Sequence, residues 1–226
     1  MDNRIGRRTV LKTGAVIPLV ALAGCTGMGG FDLTGAIRRI LTLSSQRAFA
    51  RLLAEDGFYD DQLARVTLPD QIGGSRASGV VRALLATSAV RGRLLRLLND
   101  AAAEGAERAA PLVADAIRSF SVADALSIIR ATQGDTATQA LRGQMGDALV
   151  TAMVPEVGTA LRVAQDPLIG EVLRAATGID IAGLGADVSR QAADGIYAAI
   201  GREEAAIRAD PRATGDPVII GAFGLL

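Results

Sequence analysis

Apolar residues recur every three or four positions along most of the chain, with charged residues between them. The clearest case is 91–98, where Leu94, Leu95 and Leu98 share one helical face and arginines lie opposite. This period is typical of amphipathic helices that turn one face to a core. Basic amphipathic helices also lie on membrane surfaces, but a core-facing helix is our preferred interpretation. Because Ala, Leu and Arg dominate and β-branched runs are few, the pattern predicts an all-α protein.

Turn and cap signals divide the pattern into a single helical-bundle-like domain of seven to nine helices over 33–226. A variant capping box begins one helix at Ser121, and a bend is expected at Pro155. Residues 178–185, which end in Gly-Leu-Gly, are predicted to be a loop. The predicted helices are 33–55, 80–110 with an interruption near Gly92 or Gly105, one from Pro111, one after 121–124, 136–165, one from Pro167, 186–209 and one from Pro217.

The chain begins with the three parts of a secretory signal. Basic residues come first, an apolar run over 10–23 follows, and small residues close it before Cys25. Since the run is shorter than the roughly 20 residues that span a membrane, we predict a signal peptide over 1–24. The residues around Arg7 and Arg8 resemble the twin-arginine export signal, which a receptor reads. The alternative is an ordinary Sec signal that contains two arginines.

The sequence LAGC at 22–25 resembles a lipobox, in which the cysteine sulfur receives a diacylglyceryl group. Cys25 is the only cysteine of the chain. One acyl chain binds a membrane only marginally, but the several chains of a bacterial lipoprotein hold it permanently. We therefore predict a lipidated tether over 25–32 and a periplasm-facing protein of the cell envelope. Thr26 in place of Asp favours the outer membrane, by resemblance to lipoprotein sorting signals.

Composition excludes several kinds of chemistry. Removing 1–24 takes away four basic residues and one acidic residue, which leaves 20 basic against 23 acidic residues and no footprint for nucleic acid. The remaining chain has no His, Lys or Trp and no cysteine besides Cys25. Histidine-based triads, lysine Schiff bases, disulfides and zinc sites are therefore not expected. We predict no cofactor and no metal.

Two local groupings have competing interpretations. The sequence DGFYDD at 56–61 clusters three carboxylates, which suits calcium, but a helix end followed by a capped restart explains it equally well. Glu204 and Arg208 are four residues apart with the acid first, the favourable orientation on a helix. We predict that they form a surface ion pair.

Six segments carry a family resemblance: AEDGFYDD, VTLPDQI, AERAAPLVADAI, SVADALSII, GDTAT and DGIYAAIGREEAAIRADP. On these the chain resembles an uncharacterised bacterial envelope family, domain of unknown function 4197. It departs from the family pattern at 103–106, at 140–141 and at 214–216, where polar or aromatic residues are lost. The resemblance implies a helical fold and an envelope location and adds no reaction. The matching residues that carry chemistry are Glu107, Asp115, Asp124, Asp135, Thr138, Glu203, Glu204 and Arg208, and we expect them to act as caps and interhelical pairs.

Three functions remain open from the sequence. The first is a non-enzymatic envelope lipoprotein, anchored through Cys25, that binds a protein partner as an interaction or scaffold module. The second is a carrier that holds a lipid or another hydrophobic ligand in an apolar cavity between helices. The third is a carboxylate-dependent glycan hydrolase that uses Glu107 and Asp124.

Overall fold

The first long helix begins after a side-chain cap. In the computed structural model, which describes residues 32–73, 79–163 and 181–224, the Asp32 carboxylate accepts a hydrogen bond from the Gly35 N–H at 2.8 Å. This cap satisfies one of the amides that a helix start leaves open.

The described residues form helices and connecting turns without a strand, which confirms the all-α prediction. Within the described ranges eight helices have six residues or more, in agreement with the predicted seven to nine. None of the described helices is both long and apolar enough to cross a membrane. The helices are α1 (Leu33–Leu52), α2 (Gly57–Asp60), α3 (Asp70–Gly73), α4 (Gly79–Leu85), α5 (Ser88–Ser119), α6 (Ala125–Arg130), α7 (Thr136–Met145), α8 (Ala148–Val163), α9 (Ile181–Ala209) and α10 (Pro217–Gly224), with a 3₁₀ turn at Pro211–Thr214.

Helix α9 lies at the centre of the packing. It contacts α1, α5, α7 and α8, and α5 and α8 also pack closely against each other. The apolar stripe of α9, including Ile196, Ile200 and Ile207, is buried. Leu94 and Leu98 of α5 are buried while Arg93 and Arg96 are exposed, so this segment is the core-facing helix that its pattern predicts.

Helix α5 differs from the prediction at three places. It runs unbroken through Gly92, Gly105 and Pro111, and the break falls earlier, at 86–87. Proline removes only one helical hydrogen bond, whereas the buried stripe continues past it through Val113 and Ile117. Packing therefore outweighs the local signals for a break.

Other boundaries were also misplaced. The predicted helix 136–165 breaks at Gly146, whose φ is 52°. Residues 181–185 are helical and not a loop, and the buried Leu184 extends the apolar stripe of α9 into this segment. Asp124, and not Ser121, caps α6 by accepting a hydrogen bond from Ser127. The predicted helix from Pro167 lies outside the described residues.

Candidate functional site

A buried carboxylate joins the long helix α9 to the start of α7. Glu204 is fully buried, and its two oxygens accept hydrogen bonds from the backbone N–H groups of Ala137 and Thr138 at 2.9 and 2.7 Å. The Thr138 hydroxyl donates a further bond at 2.7 Å. Because the first amides of a helix lack intrahelical partners and carry its positive end, Glu204 caps α7 from another helix.

Arg208 completes this arrangement. Its guanidinium donates to Glu204 at 2.7 and 2.8 Å, and the same group donates to the carbonyls of Ile128 and Ile129 at the end of α6. Only 9% of its side chain is exposed. The predicted surface pair is therefore wrong in its placement: the two residues do pair, but in the interior. One ion pair caps the end of α6 and the start of α7 together.

The motif GDTAT contacts α9 closely at the place where Glu204 and Arg208 join α6 and α7, which we call the Glu204 junction. A methyl group built on Gly134 would lie 2.7 Å from the Cβ of Ala205, and one built on Gly201 would lie 2.9 Å from the Cβ of Asp135. Asp135 precedes α7 and accepts a hydrogen bond from the Gln139 side chain. Glycines at both contacts thus let the connection between α6 and α7 approach α9.

An open cleft of about 680 Å³ lies beside the junction, between α7, the turn after it and α9. We call it the Tyr197 cleft. Its lining residues are Gln139, Arg142, Gly143, Gly146, Asp147, Val150, Arg190, Ala193, Asp194 and Tyr197.

Charged pairs and an aromatic ring form the wall of the Tyr197 cleft. Arg142 pairs with Asp194 across the two helices, and its guanidinium lies 5.3 Å from the centre of the Tyr197 ring. The Tyr197 hydroxyl donates to the sulfur of Met145 at 3.4 Å. Burial raises the pKa of the Tyr197 phenol above its usual value. Tyr197 is therefore neutral at physiological pH and lies buried beneath the cleft, whereas the pair of Arg142 and Asp194 is exposed.

Two glycines leave the Tyr197 cleft open. A methyl group built on Gly143 or Gly146 would meet nothing within 4 Å. Gly146 is required by its positive φ. Gly143 lies inside α7, where glycine costs about 1 kcal/mol relative to alanine. No packing contact explains it, but its position in the lining keeps the cleft wide.

These motifs lie within a region of the chain that matches a known protein family. The profile of the family described as a protein of unknown function, DUF4197, matches residues 28–224. The chain belongs to DUF4197. No curated protein and no solved structure matches it. Both the Glu204 junction and the Tyr197 cleft lie within the matched range of this DUF4197 chain.

The other matching residues of this DUF4197 chain do not converge on one place. Asp124 caps α6, Glu203 pairs with Arg51 of α1 at 2.8 Å, and Asp115 pairs with Arg118 on the surface of α5. Glu107 is exposed on α5, in a cleft that also holds Glu104 and Glu156. The structure thus brings together Asp135, Thr138, Glu204 and Arg208, with Glu203 adjacent on α9.

The acidic segment 56–61 contributes separate ion pairs. Asp61 accepts two hydrogen bonds from the Arg202 guanidinium, at 3.0 and 2.6 Å, and two more from backbone amides. The hydrogen bonds from Arg202 hold the pKa of the Asp61 carboxyl below its usual value, against the effect of burial. Asp56 pairs instead with Arg96 at 3.1 Å. Among the described residues, no group of three or more carboxylates is placed to hold a metal ion.

The Tyr197 cleft is not apparent from the sequence pattern. Tyr197 and Asp194 lie in the matching segment DGIYAAI, but Arg142 lies outside the matching segments. One signal was present: Tyr197 is one of only two tyrosines, in a chain that is 3% aromatic. Cys25, Arg7 and Arg8 lie outside the described residues.

Proposed function

We propose that the protein is a non-enzymatic envelope lipoprotein, anchored through Cys25, whose helical domain binds a protein partner in the Tyr197 cleft. The observation that carries this proposal is that carboxylates at the family-matching positions are already engaged in hydrogen bonds or ion pairs within the domain. Glu204 is saturated by donors and buried, and Asp124 and Glu203 are engaged in a cap and an ion pair. A general acid or base must reach its substrate and hold a suitable pKa, so these groups favour a structural role.

The Tyr197 cleft has the features of a protein-binding surface. Arginine is among the residues that most often dominate binding energy at interfaces, and the exposed Arg142 and Arg190 line the cleft. The exposed pair of Arg142 with Asp194 lines the cleft, as does Arg190, and these charges allow complementarity with a partner. Its open, half-polar character favours a protein over the enclosed lipid that a carrier would need.

The anchor is tested at the cysteine. Cys25→Ser removes the thiol that accepts the diacylglyceryl group, so the protein should lose its label from a palmitate analogue and leave the membrane fraction or retain its signal. Cys25 has no second cysteine to replace it. Equal labelling of the wild-type chain and the variant would refute lipidation at this residue.

Docking is tested with a photoreactive amino acid placed in living cells at Gln139 or Val150, both of which line the cleft. Both positions should yield an adduct of the same mass. Arg142→Glu should abolish it, because the change reverses the charge beside Tyr197. The control position is Arg130, an exposed residue of α6. Equal adducts from Arg130, or none from the cleft, would contradict the proposal.

A further inference from the structure

A second cleft, of about 360 Å³, lies between α3, α4 and the start of α5. We call it the distal cleft. Arg82 reaches it from the last turn of α4, and Arg91 reaches it as the fourth residue of α5. Thr67 adds a hydroxyl, and Asp70 is the acidic side chain of the lining. Its described lining therefore carries an excess positive charge.

Unpaired arginines are the exception in this protein. Most guanidinium groups of the described residues form ion pairs, hydrogen bonds or ring contacts. Those that form none within the described ranges belong to Arg47, Arg82, Arg91, Arg130 and Arg212. Two of these share the distal cleft. Arg91 is also placed against the helix dipole, near the positive end of α5, where no acidic residue offsets it.

The distal cleft lies far from the start of α1. Arg38, in the second turn of α1, donates to the Phe120 carbonyl at the end of α5 at 2.7 Å. Arg91 is 29 residues before Phe120, which corresponds to about 40 Å along a helix at 1.5 Å per residue. The cleft and the start of α1 are therefore at opposite ends of the long helix.

We propose that the distal cleft binds a carboxylate group of the cell-wall peptides, an inference that rests on the proposed envelope anchoring. Two guanidinium groups suit a carboxylate because each can donate two parallel, charge-assisted hydrogen bonds. Because Cys25 precedes α1 by eight residues in the sequence, anchoring there leaves the far end of α5 able to reach the wall peptides, which carry carboxylates.

The test uses the full-length chain carrying Cys25→Ser, so that acyl chains do not drive sedimentation. The chain should sediment with purified cell-wall sacculi, and binding should weaken with added salt because the contact is ionic. Arg82→Gln and Arg91→Gln should each reduce the affinity about tenfold, the loss expected for a charge-assisted hydrogen bond. Arg130→Gln, at another unpaired arginine, should leave it unchanged. Sacculi whose carboxylates have been amidated should no longer bind.

Two results would overturn the inference. One is binding to sacculi that survives amidation or the two arginine changes. The other is preferential binding of the chain to phosphatidylglycerol vesicles over phosphatidylcholine vesicles that is lost in the same two arginine variants. That result would assign the cleft to lipid headgroups. Neither measurement involves palmitate labelling or the Tyr197 cleft, so failure here is distinguishable from failure of the proposed function.

Discussion

Glu204 shows how a buried charge is accommodated in this domain. Moving a carboxylate out of water costs several kcal/mol, and good hydrogen bonds must offset that cost. Here one oxygen accepts from Ala137 and Arg208, and the other accepts from the amide and the hydroxyl of Thr138. These donors are themselves largely buried. Removing the carboxylate would therefore leave several buried donors without an acceptor at the same time.

We predict that Glu204→Gln lowers the free energy of unfolding by about 3–5 kcal/mol, because it leaves the buried Arg208 without a counter-charge. The amide also turns one acceptor into a donor facing Thr138. Denaturant unfolding followed by circular dichroism measures the change. Glu107→Gln is the matched control, because Glu107 is exposed on α5 and should shift stability by less than about 0.5 kcal/mol. Equal effects of the two changes would contradict the assigned burial.

The Asp61 pair with Arg202 should give stability a recognisable pH dependence. Since Arg202 lowers the pKa of Asp61 in the folded state, its contribution is present above the unfolded pKa of about 3.9 and is lost as pH falls through the folded value. Asp61→Asn should cost about 2 kcal/mol at pH 7. The difference from wild type should narrow below about pH 4. Asp60→Asn, at the exposed neighbouring carboxylate, should show no such narrowing.

Spacing along a helix is a local property, and burial is not. The four-residue interval of Glu204 and Arg208 was enough to predict the pair, and this part is confirmed. Their burial depends on Thr138 and Ile128, which lie 66 and 80 residues away in the sequence. The sequence pattern contains no direct sign that these distant segments close over the pair. The same limitation hid the Tyr197 cleft, whose pair joins α7 to α9.

Glycines within helices have two distinct roles at the scale of the elements. At Gly105 a methyl group would lie 2.8 Å from Val157, so the glycine allows α5 and α8 to approach. At Gly143 a methyl group would enter open space in the Tyr197 cleft. Both glycines resemble helix breaks in a sequence, yet both helices continue through them. The distinction depends on what lies opposite, which sequence spacing does not reveal.

This contrast predicts opposite effects of the same substitution. Gly143→Ala should stabilise the domain by about 0.5–1 kcal/mol, because alanine is the better helix former and meets no obstacle. It should also weaken cross-linking from the Tyr197 cleft, which it narrows. Gly105→Ala should destabilise by about 1–3 kcal/mol through overpacking against Val157 and Met153. Thermal unfolding of the two variants measures both signs, and destabilisation by Gly143→Ala would contradict the open cleft.

For the whole molecule, the predicted export signal would decide where any binding takes place. If a receptor reads Arg7 and Arg8, replacing both by Lys keeps the charge but removes the planar guanidinium groups. The precursor should then accumulate in the cytoplasm, as measured by fractionation. Arg4→Lys is the matched control and should be exported normally, since it lies outside the paired motif. Normal export of the double variant would favour a Sec signal and leave the prediction for Cys25 unaffected.

The capping of α7 from a distant helix has a consequence for hydrogen exchange. First-turn amides normally exchange quickly because no carbonyl of their own helix protects them. The amides of Ala137 and Thr138 should instead exchange only when α9 separates from them, because Glu204 holds both in the interior. Ser127 is a built-in comparison, since its amide is held by the exposed, local cap Asp124. The exchange rates of these two amides at the start of α7 would thus report how often α9, which carries Glu204 66 residues further along the chain, separates from α7.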